Sequence, residues 1–311
     1  MLTEADTCRK YVLPKLYASG WNDDQISEQK TFTDGRIVVV GEKCFRKKQK
    51  RADYLLRFRR DFTIAVVEAK SAYKNPADGL QQAKEYAEIL GLKFAYATNG
   101  KGIIEHDYIT GKDADLEGFP TPDELWTRLS KSEGITPEVA ERLLQPCNTL
   151  PGKIPRYYQE IAVNRTVKAV LLGIKRSLLN LATGTGKTYI AFQIIWKLWN
   201  SRWNRTGEHR RPKVLYLADR NVLIDDPKDK PLLLWVMPGG RFRVRQLRAG
   251  RYISPFIRQL QKTSTAPVFI NNMPRISLIS LSLMNVTGEA QRTKATGVKY
   301  WNILNRHIKS G

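Results

Sequence analysis

Two apolar, β-rich runs, Asp53 to Phe58 and Phe62 to Ala69, are separated only by the polar Arg59-Arg60-Asp61. So short a break is expected to fold the chain back into two antiparallel strands joined by a tight turn. With the turn centred near Arg60, Asp53 lies almost opposite Val67 and Glu68, where facing Cβ atoms sit roughly 5 Å apart. Glu68 and Lys70 are two residues apart on one strand and point to the same face. Two carboxylates and an ammonium thereby converge on one small volume. Carboxylates so placed can hold a Mg²⁺ ion, and a lysine beside them can position or help deprotonate a water that attacks phosphorus.

The elements around this hairpin give an α/β domain from residue 1 to about 145. Thr3-Glu-Ala-Asp6 reads as a capping box opening a helix that ends at Gly20, with Pro14 inside it. Glu28 to Phe32 and Arg36 to Val40 are expected to pair as a hairpin through Thr33-Asp34-Gly35. The basic run Arg46-Lys-Lys-Gln-Lys-Arg51 leads into Asp53 as a phosphate-contacting patch or as a solvated loop. Ala77 to Leu90 reads as a helix, with Gln82 and Tyr86 four apart on one face, and Lys93 to Thr98 as a short buried strand. Thr121-Pro-Asp-Glu and Thr136-Pro-Glu are helix starts with Pro in the first turn.

Asp53, then Glu68-Ala-Lys70, then Gln82-Ala-Lys-Glu-Tyr86 resemble the nuclease domain of the restriction (R) subunit of type I restriction-modification enzymes, a branch of the PD-(D/E)xK nucleases. The resemblance covers residues 1 to about 145, with Ala52 standing where the motif name has proline. It implies that Asp53 and Glu68 bind catalytic Mg²⁺, that Lys70 assists the attacking water, and that Gln82 and Tyr86 support DNA contact or cleavage. Glu4 is either a further helix-borne acidic ligand or a residue that compensates the helix dipole.

The breaker-rich stretch of residues 146–155 marks a linker, and a second unit follows over 156–230. Arg156 to Ile174 reads as a helix, Ser177 to Leu181 as a short strand, and Tyr189 to Trp199 as a helix. Between the last two lies LATGTGKT, Leu181 to Thr188. Strand, glycine loop and helix are the context of a phosphate-binding loop. Backbone N–H groups around Gly184, Thr185 and Gly186 can wrap a β-phosphate, Lys187 can neutralise phosphate charge, and the Thr188 hydroxyl can bind Mg²⁺. Leu181 departs from the general phosphate-loop pattern, but Ala182-Thr183-Gly184-Thr185-Gly186-Lys187-Thr188 matches the A-T-G-x-G-K-T form of superfamily 2 helicases and translocases. Gln159 resembles the adenine-recognising glutamine of that superfamily, its bland alternative being a surface helix residue. Lys213 to Ala218 with Asp219-Arg220-Asn221 resembles the second core strand and a DNA-backbone contact. ATP is the implied nucleotide, and an incomplete RecA-like P-loop ATPase domain the implied fold.

After Lys230 the resemblance stops. Pro231 to Gly311 holds 13 Lys+Arg and one acidic residue, Glu289, so no acidic pair of the D-E-x-x kind is available to a motor. This irregular basic tail, 231–311, is either a nucleic-acid-binding extension or an out-of-frame translation of the missing motor sequence. Codons allowed by Met273 to Gly288, read from the third base of Met273, spell an apolar strand ending in D-E-C-H, and Met284-Asn285 forces the glutamate of that frame. On the second reading the tail is poorly folded and the chain a truncated one.

The net charge of +22 and pI near 9.9 favour a polyanionic partner, nucleic acid before membrane. No run of about 18 apolar residues is present, and three widely spaced cysteines form no ligand cluster, so a reducing, cytoplasmic setting is expected. The three histidines show no ligand spacing. Two functions remain open: an R subunit that cuts double-stranded DNA with Mg²⁺ alongside modification and specificity subunits, or a non-catalytic basic nucleic-acid-binding fragment with vestigial motifs.

Overall fold

Val66 to Ala69 are all buried, which a strand achieves only when both faces of its sheet are covered. The computed structural model describes residues 3–32, 37–40, 43–46, 49–148, 155–174, 177–181, 184–204, 207, 211–212, 216–217 and 281–282. Its helices are α1 (Glu4–Thr7), α2 (Leu13–Ala18), α3 (Leu80–Leu90), α4 (Pro122–Glu133), α5 (Pro137–Leu143), α6 (Tyr157–Leu171) and α7 (Lys187–Asn200). The strands are β1 (Ile26–Phe32), β2 (Ile37–Val40), β3 (Lys43–Arg46), β4 (Lys50–Arg59), β5 (Phe62–Ala69), β6 (Phe94–Thr98), β7 (Ile103–Asp107), β8 (Lys112–Leu116), β9 (Tyr216–Leu217) and β10 (Leu281–Ser282). The chain divides into two units, Met1–Ser177 and Leu178–Gly311.

The first unit is built on a six-stranded mixed sheet in the order β1-β4-β5-β6-β7-β8. Only β5 and β6 run parallel, joined by a crossover through a 3₁₀ turn at Pro76–Gly79 and α3. One face carries Tyr54, Leu56, Phe58, Ile64, Val67 and Tyr96 against Val12, Leu16 and Trp21 from the N-terminal helical segment and Leu125 and Leu129 from α4. The other carries Phe32, Leu55, Val66 and Ala95 against Ala83, Tyr86, Ala87 and Leu90 of α3, with Tyr157 and Ile161 of α6 packed outside.

The N-terminal segment begins with the expected box: Asp6 N–H donates to Thr3 Oγ1, and Thr3 N–H donates to the Asp6 carboxylate. Pro14 does not end the helix. A π-helical turn at Cys8–Val12 accommodates it, and the Leu13 N–H reaches back to the Cys8 carbonyl. The segment closes with Gly20 at φ 85°. Thr121 and Thr136 cap α4 and α5 with Pro in the first turn, as the sequence indicates.

The hairpin expected between Glu28–Phe32 and Arg36–Val40 does not form. β1 pairs antiparallel with β4 instead, Phe32 opposite Lys50, and β2 pairs with β3. The long-range partner wins because it buries Phe32 against Tyr86, with ring centroids 5.0 Å apart. Arg156–Ile174 becomes α6, and this helix belongs to the first unit: Glu160 accepts from the Thr63 N–H at 3.1 Å, Thr63 Oγ1 at 2.8 Å and Arg57 Nη1 at 3.0 Å.

In the second unit, α7 is apolar nearly all round, burying Ile190, Ala191, Phe192, Ile194, Ile195 and Leu198, as a core helix does. Residues 177–181, expected as a strand, carry no regular structure, and Leu178 is 82% exposed. A strand needs ladder partners for its backbone groups, and no described residue supplies them. Tyr216–Leu217, within the strand expected at Lys213–Ala218, pairs in parallel with Leu281–Ser282. Asp219-Arg220-Asn221, the turn at Thr33–Arg36, linker residues 149–154 and the rest of the 231–311 tail lie outside the described residues. Among the described residues no helix is long and apolar enough to cross a membrane.

Candidate active site

The hairpin from Asp53 to Lys70 folds as its composition requires. Arg60 and Asp61 form the turn, Tyr54 pairs with Val67 and Leu55 with Val66, and the register shifts near Arg57. Continuing that ladder by one residue sets Asp53 beside Glu68. Asp53 Oδ2 accepts from the Ala69 N–H at 2.7 Å, locking the carboxylate across the strand pair.

Glu68 is 4% exposed. Its Oε1 accepts from Lys70 Nζ at 3.0 Å, while its Oε2 is buried without a hydrogen-bond partner. Lys70 also donates to Gln82 Oε1 at 2.9 Å, and Gln82 Nε2 donates to the Tyr86 hydroxyl at 2.7 Å. The five residues singled out in the sequence therefore meet in one place, and the last four form an unbroken polar chain. Lys50 extends it: its ammonium lies 5.7 Å from the centre of the Tyr86 ring and pairs with Glu85. Sequence reasoning placed Lys50 only in a basic run. Its position opposite Phe32, and hence beside Tyr86, depends on the β1–β4 pairing that local pattern did not reveal.

Burial pushes the Glu68 carboxyl up to about 7, and the nearby Asp53 charge pushes the same way against the Lys70 contact. Burial also raises Asp53, opposed by the Ala69 N–H and Lys70. For Lys70, burial pulls downward, but the Glu68 bond and the Glu68, Glu4 and Asp53 charges outweigh it and leave the ammonium raised. Glu68 is therefore part-protonated near neutrality, with the Lys70 ammonium charged beside it. Burial and then Asp53 push the neighbouring Cys8 thiol up to about 12, which makes it a poor nucleophile.

A partnerless buried carboxylate oxygen beside a second, half-buried carboxylate is a poor arrangement without a cation. Among the described residues no group of three or more His, Cys, Asp or Glu side chains could hold a metal. The Asp53–Glu68 pair still suits Mg²⁺, which takes one or two protein carboxylates and fills its remaining positions with water and phosphate oxygens.

In the second unit Gly184 and Gly186 take φ values of 79° and 81°, a region that side chains with a Cβ rarely adopt. Gly186 is the N-cap of α7, so Lys187 and Thr188 occupy its first turn. The loop thus delivers its backbone to a helix N-terminus, a ready anion site, and nothing approaches within 4 Å of a Cβ built at Gly184. Thr185 lies in this loop, whereas Thr183 lies outside the described residues. Gln159 stands in the first turn of α6, in the first unit, 9% exposed, where its Oε1 accepts from the Arg156 N–H at 3.0 Å.

A solved fragment of an HsdR subunit of a type I restriction enzyme from Vibrio vulnificus YJ016 is 59% identical to the chain, with a TM-score of 0.63. The match covers 71% of this chain and 42% of that one. The chain belongs with the R subunits of type I restriction enzymes. It is 40% identical over 236 residues to the type I restriction enzyme EcoAI endonuclease subunit of Escherichia coli, and 41% identical over 144 residues to the EcoKI endonuclease subunit of Escherichia coli strain K12. The alignments take in 73% and 42% of this R-subunit chain but only 28% and 11% of those relatives. A family model described as type III restriction enzyme, res subunit, matches residues 152–233, ending close to where the sequence resemblance to a motor stops.

Proposed function

We propose that the first unit is a Mg²⁺-dependent DNA endonuclease domain of the PD-(D/E)xK kind, and that the second begins a RecA-like ATP-binding motor. In the complete R subunit this motor would translocate double-stranded DNA beside modification and specificity subunits in the cytoplasm. The observation that carries the nuclease reading is the buried Glu68 Oε2 without a partner, on a carboxylate that also feels the Asp53 charge and bonds Lys70. Asp53 and Glu68 would hold Mg²⁺, which when bound supplies Lewis-acid polarisation of a phosphate oxygen and its water.

The chain's own groups do the rest. Lys70 spends two of its three N–H donors on Glu68 and Gln82, leaving the third for a water or a phosphate oxygen. Its raised affinity for protons makes it a donor that orients the nucleophile and stabilises negative charge developing on phosphorus, more than a base. Gln82 fixes the ammonium, and the Tyr86 hydroxyl fixes the orientation of the Gln82 amide. Lys187, Thr188 and the loop Thr183 to Gly186 would bind the phosphates and Mg²⁺ of ATP.

The test is nicking of plasmid DNA. Mg²⁺-dependent cleavage abolished by Lys70→Ala supports the reading, and an absence of cleavage even with partner subunits supports the non-catalytic DNA-binding alternative. The tail fits an out-of-frame segment. Codons for Met273 to Gly288 that spell no D-E-x-H in either shifted frame remove that idea.

A further inference from the structure

We propose that the loop following Lys70 is a DNA-stacking platform, on which the Tyr73 ring packs against a base of the strand being cut. This rests on the nuclease reading above and extends it to a surface outside the Asp53–Glu68–Lys70–Gln82–Tyr86 cluster. Tyr73 is 61% exposed, more than any other aromatic ring among the described residues. An isolated exposed ring on a loose loop would carry no meaning. This loop is fastened on both sides of the ring. The Ala72 N–H donates to Thr7 Oγ1 at 3.2 Å, the Lys74 N–H to the Ser71 carbonyl at 2.8 Å, and Asn99 Nδ2 to the Lys74 carbonyl at 2.8 Å. The Asn75 side chain then caps the 3₁₀ turn by accepting from the Ala77 N–H at 2.9 Å.

With the backbone so held, a ligand need only order two side-chain torsions to gain the whole ring face. The same rim carries a second ring and further cations. Tyr11, 37% exposed, packs so closely on Gly100 that a Cβ there would fall 2.6 Å from the Tyr11 Cβ. Lys15 Nζ donates to the Lys101 carbonyl at 2.9 Å, and Lys74 meets Glu4 only loosely, at 3.9 Å. Exposed rings among ammonium groups on a rigid frame are the composition of a surface that stacks bases and follows a phosphate backbone.

Reach agrees with position. Tyr73 lies three residues on from Lys70, at most about 10 Å of extended chain. At about 3.4 Å per nucleotide along one strand, the ring meets a base within about three nucleotides of the phosphate attacked.

Photocrosslinking of the full chain to duplex DNA containing 5-iododeoxyuridine, in EDTA, tests this. Trypsin releases Tyr73 in the short peptide Ser71–Lys74, so its crosslinks separate from those of the basic tail. The expected result is a crosslink on that peptide, kept within about twofold by Tyr73→Phe and lowered about tenfold or more by Tyr73→Ala. Crosslinks confined to other peptides, or none at all, overturn the proposal. Since no metal is present, a crosslink on Ser71–Lys74 in a chain that never nicks DNA would sink the nuclease reading and leave the platform standing. Nicking without that crosslink would do the reverse.

Discussion

Replacing Glu68 by Gln removes the charge while keeping the shape, and the structure fixes the sign and scale of the outcome. In the unfolded chain the carboxyl titrates near 4.5, and in the fold burial and Asp53 raise it to about 7. A raised acid is held neutral by the fold, so its contribution is complete below about pH 4.5 and is lost as pH climbs through about 7. At 1.36 kcal/mol per pKa unit the loss is about 3 kcal/mol, an order-of-magnitude figure for a coupled site. Glu68→Gln does not titrate. Compared with wild type it should melt at nearly the same temperature at about pH 5 and about 5–10 °C higher at about pH 8, without divalent cation. Mg²⁺ should then raise the wild-type midpoint at about pH 8, more than at about pH 5, and leave the variant unmoved. Circular dichroism melts of both proteins, with and without Mg²⁺, supply the measurement. A wild-type-minus-variant difference that is flat across this pH range, or an equal Mg²⁺ response in both, would refute the reasoning.

The other predictions use the remaining contacts. Gln82→Ala deprives Lys70 of its second acceptor and should lower plasmid cleavage by about a hundredfold with DNA affinity unchanged, Tyr86→Phe having the smaller effect; equal loss of affinity would make both residues DNA contacts. Glu160→Ala should destabilise the first unit by about 2–3 kcal/mol, less than a fully buried pair, because Arg57 keeps its bonds to Ser27 and Arg60; a change below about 1 kcal/mol in urea unfolding contradicts this. Lys187→Ala should abolish binding of a fluorescent ATP analogue and leave Mg²⁺-dependent nicking intact. DNA-stimulated ATP hydrolysis should be absent from this chain, and turnover that disappears in Lys187→Ala would show otherwise.

What could be read from sequence was what is decided over a few residues. The Asp53–Lys70 hairpin, the capping box at Thr3, the Thr-Pro starts of α4 and α5 and the glycine loop before α7 each depend on near neighbours. The partner of β1 does not. An Asp-Gly dipeptide argued for a local hairpin, but burial of Phe32 against Tyr86 across α3 favours β4. The β7–β8 hairpin escaped notice because Lys112–Leu116 is polar and largely exposed and shows no alternation. Its inner strand nonetheless matters. Glu105 and Asp107 are clamped by Arg128 at 2.6 and 2.8 Å, and Glu105 accepts from the Tyr96 hydroxyl, which ties α4 to the sheet centre. Lys50 was visible as a charge, but its place over the Tyr86 ring required the whole sheet.

The position of the cluster follows from the one parallel pair in the sheet. Glu68 and Lys70 lie at the carboxyl end of β5, where the chain leaves for the crossover to β6, the place at which open α/β sheets offer a crevice. An antiparallel neighbour alone would have turned the chain straight back and placed no helix over Lys70. The crossover brings α3 across instead, so that Gln82, in its first turn, reaches the ammonium. The approach is close: at Gly79 an added Cβ would stand 3.3 Å from Lys70 Cγ, which would have to give by a few tenths of an ångström, and in ordinary contact, 3.5 Å, with Ala97 Cβ. The antiparallel side has a complementary task, since β4 carries Asp53 alongside Glu68 and the Ala69 N–H holds it there. A mixed sheet is therefore the condition for the site: β4 supplies the second carboxylate, and the parallel step from β5 to β6 supplies the helix that aims the lysine.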